Sequence, residues 1–188
     1  RILTGRLLIP VYDLRKRLVY WVARAVDDHP IKTINLPSTD RHSEWGLVKV
    51  EDCATRSDVL VGVHLVSKGS RVIIVEGPMD AAVCGAGFVA TMGASMSQRQ
   101  ASLIIEAGAS EAIILYDPDE AGEKGAAQAY KLLSPFIPTK VATCPRGFDP
   151  ADLGRSRALA IADKAESNPL PVLSDTKLFS KKGKLRPK

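Results

Sequence analysis

The sequence predicts an α/β protein, a mostly parallel sheet flanked by helices and preceded by a smaller, basic α+β subdomain. Three observations predict it. β-Branched apolar runs near 72–75, 88–91, 112–116 and 140–143 alternate with helix-like segments near 79–86, 97–107, 120–133 and 151–166. Strands and helices alternating at this length require parallel crossovers. Two acidic clusters each follow one of these strand runs directly, at the sheet end where ligands of such folds gather. Residues 2–26 have a different rhythm, short apolar runs between charged turns. The expected organisation is a basic N-terminal subdomain at 1–68, the main α/β domain at 69–166 and a basic tail at 167–188.

In the first subdomain, Leu7-Leu8-Ile9 and Leu18-Val19-Tyr20-Trp21-Val22-Ala23 flank a polar stretch, the pattern of a β-hairpin, although the turn lacks Asn-Gly or Asp-Gly. Residues 27–44, polar and carrying Pro30 and Pro37, are expected to be irregular, and residues 51–56 are compatible with a helix. Gly69-Ser70 marks the turn into the main domain. There the third helix is the most legible: Ala121, Ala126, Ala127, Ala129, Tyr130, Leu132 and Leu133 supply propensity and an apolar face, while Lys124, Gln128 and Lys131 face out. Beyond Glu166 prolines and bases prevail, as in a flexible tail.

Twenty-six Lys and Arg against 21 Asp and Glu leave a net charge of +5, a mild pointer to a polyanionic partner. No apolar run approaches the roughly 18 residues of a membrane span and the N-terminus lacks a signal-peptide pattern, so a cytoplasmic location is expected. A chain opening on Arg1 is expected to be a fragment. Cys53, Cys84 and Cys144 form no CxxC pair, and His29, His42 and His64 lack zinc-ligand spacing, so reduced thiols and no zinc site are expected. Without a GxxxxGK[ST] loop, no ATPase motor is encoded here. Gly85-Ala86-Gly87-Phe88-Val89-Ala90 fits the GxGxxA dinucleotide pattern but leaves a helix and enters a strand, the reverse of the required order.

The acidic clusters are Glu76-Gly77-Pro78-Met79-Asp80 and Asp117-Pro118-Asp119-Glu120-Ala121-Gly122. Asp117 and Asp119 stand two apart with Pro118 holding the chain extended, so both carboxylates point the same way. Glu76 meets them if strands 72–75 and 112–116 are neighbours, and Asp80 falls in the first turn of the following helix. Capping by acids before a helix explains either cluster alone. Several carboxylates converging on one face are costly without a cation, which favours a metal site. Oxygen ligands on rigid strand ends suit Mg²⁺ or Mn²⁺ and the phosphoryl or nucleotidyl transfer those ions serve.

The paired EGxxD and DxDxxG motifs resemble those of the TOPRIM domain, shared by bacterial-type DNA primases, type IA and II topoisomerases and some nucleases. Thr91-Met92-Gly93-Ala94-Ser95-Met96-Ser97 with Gln100 looks like the primase segment between those motifs, and Phe148-Asp149-Pro150-Ala151-Asp152-Leu153 resembles the late DPxDL. Upstream, Gly5-Arg6-Leu7-Leu8-Ile9-Pro10 with Asp13, Arg24, Lys32, Asn35 and Pro37 is similar to the N-terminal part of the primase catalytic core. Roughly residues 5–160 are covered. The resemblance implies that Glu76, Asp117 and Asp119 are catalytic and coordinate Mg²⁺ or Mn²⁺, with Asp80 supporting. It implies that Arg6, Arg24, Lys32 and Asn35 face nucleic acid or nucleotide. The chain departs from the family in lacking a zinc ribbon ahead of the core, and His42-Ser43-Glu44 stands where a base is expected before Trp45-Gly46-Leu47.

The implied function is a DNA primase catalytic core, a nucleotidyltransferase that joins ribonucleoside triphosphates on a single-stranded DNA template, with a replicative helicase as a further partner and no membrane. Two alternatives stand beside it, a TOPRIM nuclease or topoisomerase-related enzyme, and a non-catalytic DNA-binding replisome module.

Overall fold

The computed structural model describes residues 3–35 and 54–167. It comprises a three-stranded antiparallel sheet, β1 (Arg6–Tyr12), β2 (Leu18–Ala25) and β3 (Thr33–Asn35), followed by a four-stranded parallel sheet. The parallel strands are β4 (Arg71–Val75), β5 (Phe88–Ala90), β6 (Glu111–Tyr116) and β7 (Thr139–Thr143), in the order β5-β4-β6-β7. Four helices connect and follow them: α1 (Pro78–Cys84), α2 (Gln98–Glu106), α3 (Glu120–Leu133) and α4 (Pro150–Ala162). The predicted α/β class and strand–helix rhythm are therefore present.

Period-two burial decides which helix covers which face. Ile73 and Val75 of β4, with Ile113 and Leu115 of β6, point into a core shared with Ala81 and Cys84 of α1 and with Ala158 and Ala162 of α4. Val72 and Ile74, with Ala112 and Ile114, point the other way, against Ala101 and Ile104 of α2 and Ala126, Ala129 and Leu133 of α3. Each fully buried Ile or Leu is worth about 2 kcal/mol over an exposed one. That these strands read as continuous apolar runs follows from being covered twice. The sheet's two outer strands are closed by single antiparallel bridges, Val61 to Ala90 and Val141 to Glu166, which blunt its edges.

The antiparallel sheet packs onto the α1–α4 face through Ile9, Val11, Tyr20 and Val22. Its hairpin forms without a glycine in the turn because Asp13 organises the turn itself. Asp13 Oδ1 accepts from the backbone N–H groups of Arg15 and Arg17, each at 2.9 Å, and Lys16 takes a left-handed φ of 59°. The segment expected to be irregular contains β3, which pairs with β2 through Val22–Asn35, Ala23–Ile34 and Arg24–Thr33. Three residues are too few to show periodicity, so pairing with the preceding strand decides. Of the suggested helix at 51–56, the described residues Ala54 and Thr55 are not helical and Arg56 opens a short 3-10 turn, Arg56–Asp58. The Gly85–Ala90 decoy is the end of α1, where Gly85 adopts φ 76° and donates to the Ala81 carbonyl at 2.8 Å, and the start of β5. Cys84 and Cys144 are buried free thiols. His42, Trp45 and Cys53 lie outside the described residues, as does the tail from residue 168. No described helix is long and apolar enough to cross a membrane.

Candidate metal centre and nucleic-acid cleft

The chain leaves β4 toward β5 on one side and leaves β6 toward β7 on the other, so the strand order reverses between β4 and β6. The crevice outside such a reversal is where open α/β sheets bind ligands. β4 and β6 are parallel neighbours, with Arg71 opposite Glu111 and Ile74 opposite Ile114. This register brings Glu76 and Asp117 together one step beyond the strands, where Glu76 Oε1 accepts the Asp117 backbone N–H at 3.1 Å.

A cleft of about 420 Å³ opens here. Glu76, Asp80, Asp117 and Asp149 line its acidic side, and Arg24, Thr33, Asn35 and Arg56 line it as well. Arg24 is steadied by donating to Thr33 Oγ1 at 3.0 Å. The two expected bases that do not line it have other engagements. Arg6 donates to the carbonyls of Ile31 at 2.7 Å and Lys32 at 3.3 Å, bracing the approach to β3, and Lys32 pairs with Asp28 at 3.1 Å.

The carboxylates are held by backbone N–H groups. Asp80, nearly fully buried, accepts from Gly77 at 2.9 Å and, across the domain, from Ala151 at the start of α4 at 3.1 Å. Asp119 caps α3, accepting from Gly122 at 2.8 Å. Asp149 caps α4, accepting from Asp152 at 2.7 Å. Asp117 Oδ1 is buried and has no hydrogen-bond partner. Among the described residues no three His, Cys, Asp or Glu side chains are set to hold an ion as they stand.

Burial and mutual repulsion raise the pKa values of Glu76, Asp80 and Asp117 in this cleft. Burial, reinforced by Asp117, Asp119 and Asp80, pushes the Glu76 carboxyl up to about 7. Burial and the charge of Asp149 push Asp80 up to about 6. Asp117 is raised by burial, then by Asp149 and Asp119. In each case burial is the first cause and a neighbouring carboxylate adds to it. The orphaned Asp117 oxygen beside Glu76, in an all-oxygen donor set, fits a hard divalent cation, with Asp119 adjoining and Asp80 fixing the frame.

Gly122 explains the last position of the second acidic motif. A Cβ there would stand 2.1 Å from the Asp117 carbonyl oxygen and 2.8 Å from Glu76 Oε1, so only glycine lets α3 start this close to both acids. Gly122→Ala is expected to cost about 2 kcal/mol of stability by overpacking and to weaken Mn²⁺ binding by at least about tenfold. Thermal melting and calorimetric titration check both effects.

Arg56 and Asp149 line the cleft without having been expected there: Asp149 was noted only within the DPxDL motif, and Arg56 carried no expected role. Asp149 was marked by Asp149-Pro150, an N-cap followed by proline at the first helical position. Arg56 sits in a short turn with no periodic signal.

A parallel sheet with acids at its switch point, and a capped helix starting after the second acid, defines an open α/β domain whose candidate site lies at the carboxyl ends of β4 and β6. Residues 73–153 match the family described as Toprim-like, a stretch that contains both acidic motifs. Curated relatives include the DNA primase of Deinococcus radiodurans, 29% identical over 153 residues that make up 79% of this chain and 25% of that protein. Another is the DNA primase of Campylobacter jejuni, 32% identical over 154 residues, 79% of this chain and 24% of that protein. The chain thus spans about a quarter of the length of these relatives. A solved structure described as the DnaG primase catalytic domain bound to ssDNA superposes with a TM-score of 0.72 and 24% identity, over 93% of this chain and 57% of that one. The primase fragment of the bacteriophage T7 primase-helicase protein shares the fold at a TM-score of 0.56 and 23% identity, over 81% of this chain and 60% of that one.

Proposed function

We propose that the chain is the catalytic core of a DNA primase, a nucleotidyltransferase that joins ribonucleoside triphosphates on single-stranded DNA. The observation that carries this reading is the meeting of Glu76 and Asp117 at the switch point, in a cleft that Arg24 and Arg56 also line. In the reaction a 3′-hydroxyl attacks the α-phosphorus of the next triphosphate. A P–O bond forms, the bond to the bridging oxygen breaks, pyrophosphate leaves and the hydroxyl proton is lost.

Glu76 and Asp117 would hold a Mg²⁺ or Mn²⁺ ion, with Asp119 beside them. Once bound, the ion supplies positive charge to the phosphates and lowers the pKa of the attacking hydroxyl. Asp80 keeps β4, α1 and α4 in register beneath the site. Arg24 and Arg56 neutralise phosphates that would otherwise face four carboxylates, and Thr33 and Asn35 offer uncharged hydrogen-bonding groups to sugar or base. We assign residues 1–68 to the template side and 69–166 to the catalytic side, followed by a basic tail from residue 167. The shared apolar core lets the two sides act as one unit. The likeness to bacterial primases and to the primase fragment of a primase-helicase supports action on replicating DNA in the cytoplasm, with a helicase as partner.

The test is incubation with single-stranded DNA, labelled ribonucleoside triphosphates and Mn²⁺ or Mg²⁺. Short template-dependent RNA that disappears with a chelator is expected. DNA cleavage without synthesis overturns the reading in favour of a nuclease.

A further inference from the structure

Gln100 is fully buried in α2 and does not itself line the cleft. Its amide nevertheless reaches two elements that rim the cleft. Nε2 donates to the carbonyls of Arg56 at 3.2 Å, Val59 at 3.0 Å and Thr91 at 3.0 Å, so two hydrogens serve three acceptors. Oε1 accepts the Ser97 N–H at 2.9 Å and the Gln100 N–H donates to Ser97 Oγ at 3.0 Å, a capping box that fixes the side chain at the start of α2.

The groups it holds are connected to the site. Arg56 lines the cleft, and a Cβ on Gly93 would lie 3.9 Å from Arg56 Nη1, so the guanidinium runs alongside the Met92–Gly93 turn. Met92 in that turn has the left-handed φ of 62°, which a non-glycine residue keeps only when its surroundings impose it. The turn is stitched down from several sides. Thr91 Oγ1 donates to the Gly93 carbonyl at 2.7 Å, and the Gly93 N–H donates to the carbonyl of Glu76 at 3.1 Å. One buried amide therefore ties the backbone that carries Arg56 to the turn that is bonded to Glu76.

We propose that Gln100 is a positioning residue for nucleotide binding: it sets the Arg56 guanidinium against the Met92–Gly93 turn, so that the base meets the triphosphate of the incoming nucleotide at the same depth as the acids. This rests on the reading of the cleft as a ribonucleotide-joining site. A residue that only stabilised α2 would lower stability without selecting a kinetic constant. A residue acting through Arg56 raises the KM for triphosphate and loses its effect once Arg56 is gone.

The experiment is a double-mutant cycle of Gln100→Met, similar in size and without donors, with Arg56→Ala, in the template-dependent synthesis assay and in equilibrium binding of a fluorescent ribonucleoside triphosphate. Gln100→Glu, which keeps the length and the Ser97 bond but removes the donors, runs as a second variant should the methionine variant fold poorly. The expected result is a KM raised about tenfold in either Gln100 variant, little change in kcat, and a combined variant no worse than Arg56→Ala alone. Additive effects, or a fall in kcat at unchanged KM, overturn the proposal while leaving the site assignment standing. A wild type that binds the triphosphate but joins none overturns the underlying reading, and the proposal with it.

Discussion

Asp117→Ala is expected to abolish primer synthesis, by at least about 10³-fold or roughly 4 kcal/mol of activation free energy, while leaving the protein as stable as before or more so. The two halves of this expectation have one cause. Asp117 Oδ1 is buried without a partner, and an unsatisfied buried polar group costs about 1–3 kcal/mol. Its carboxyl is also raised by burial and by the charges of Asp149 and Asp119. Alanine removes that penalty together with the group that makes the site useful, the trade between activity and stability found where strain serves function. The measurement pairs product formation on single-stranded DNA with thermal melting at pH 8. Loss of activity accompanied by a large loss of stability would assign Asp117 to the architecture instead, and retained synthesis would remove it from the catalytic site.

The second large effect is on stability as a function of pH and metal. Glu76 titrates near 7 in the fold against an ordinary 4.5, burial being the first cause and neighbouring acids adding to it. Asp80 rises to about 6 from 3.8. A raised acid holds its proton more tightly folded than unfolded, so its stabilising contribution is complete below the unfolded value and is lost as pH rises through the folded one. For Glu76 that window runs from 4.5 to about 7. His64, lowered by burial, works in the opposite direction below its ordinary value of 6.5, so the comparison is best made from pH 6.5 to pH 8. Allowing for partial exposure of Glu76, metal-free protein loses on the order of 1 kcal/mol over that interval, a fall in Tm of about 3 °C for a chain of this size. Mn²⁺ at about a hundred times its dissociation constant restores roughly 2.7 kcal/mol at pH 8. A melting temperature that stays flat with pH, or that Mn²⁺ raises equally in Glu76→Gln, contradicts this account.

Much of this arrangement was legible in the chain before folding. The parallel domain shows because strands buried on both faces must be continuously apolar, as Val72 to Val75 and Ala112 to Tyr116 are, and because Ala-rich α3 has strong intrinsic propensity. The adjacency of β4 and β6 was required by the acids and is present. What stayed hidden was settled by strand pairing or by side chains acting on the backbone. β3 exists only through its pairing with β2, and the hairpin turn depends on the carboxylate of Asp13 where a glycine was sought. Metal binding and helix capping were posed as rivals for the acids, yet Asp119 caps α3 while standing beside Asp117. Arg56 escaped notice because nothing local marks it; its place at the rim follows from what Gln100 holds.

Joint binding of a divalent ion by Glu76 and Asp117 at the switch point of the sheet is the proposal on which the rest depends. Titrating the protein with Mn²⁺ and following free ion by electron paramagnetic resonance tests it without reference to any reaction. The account predicts saturable binding to wild type at pH 8 that weakens at least about a hundredfold in Glu76→Gln and in Asp117→Asn, with both variants folded. Wild-type affinity retained in both variants would contradict it.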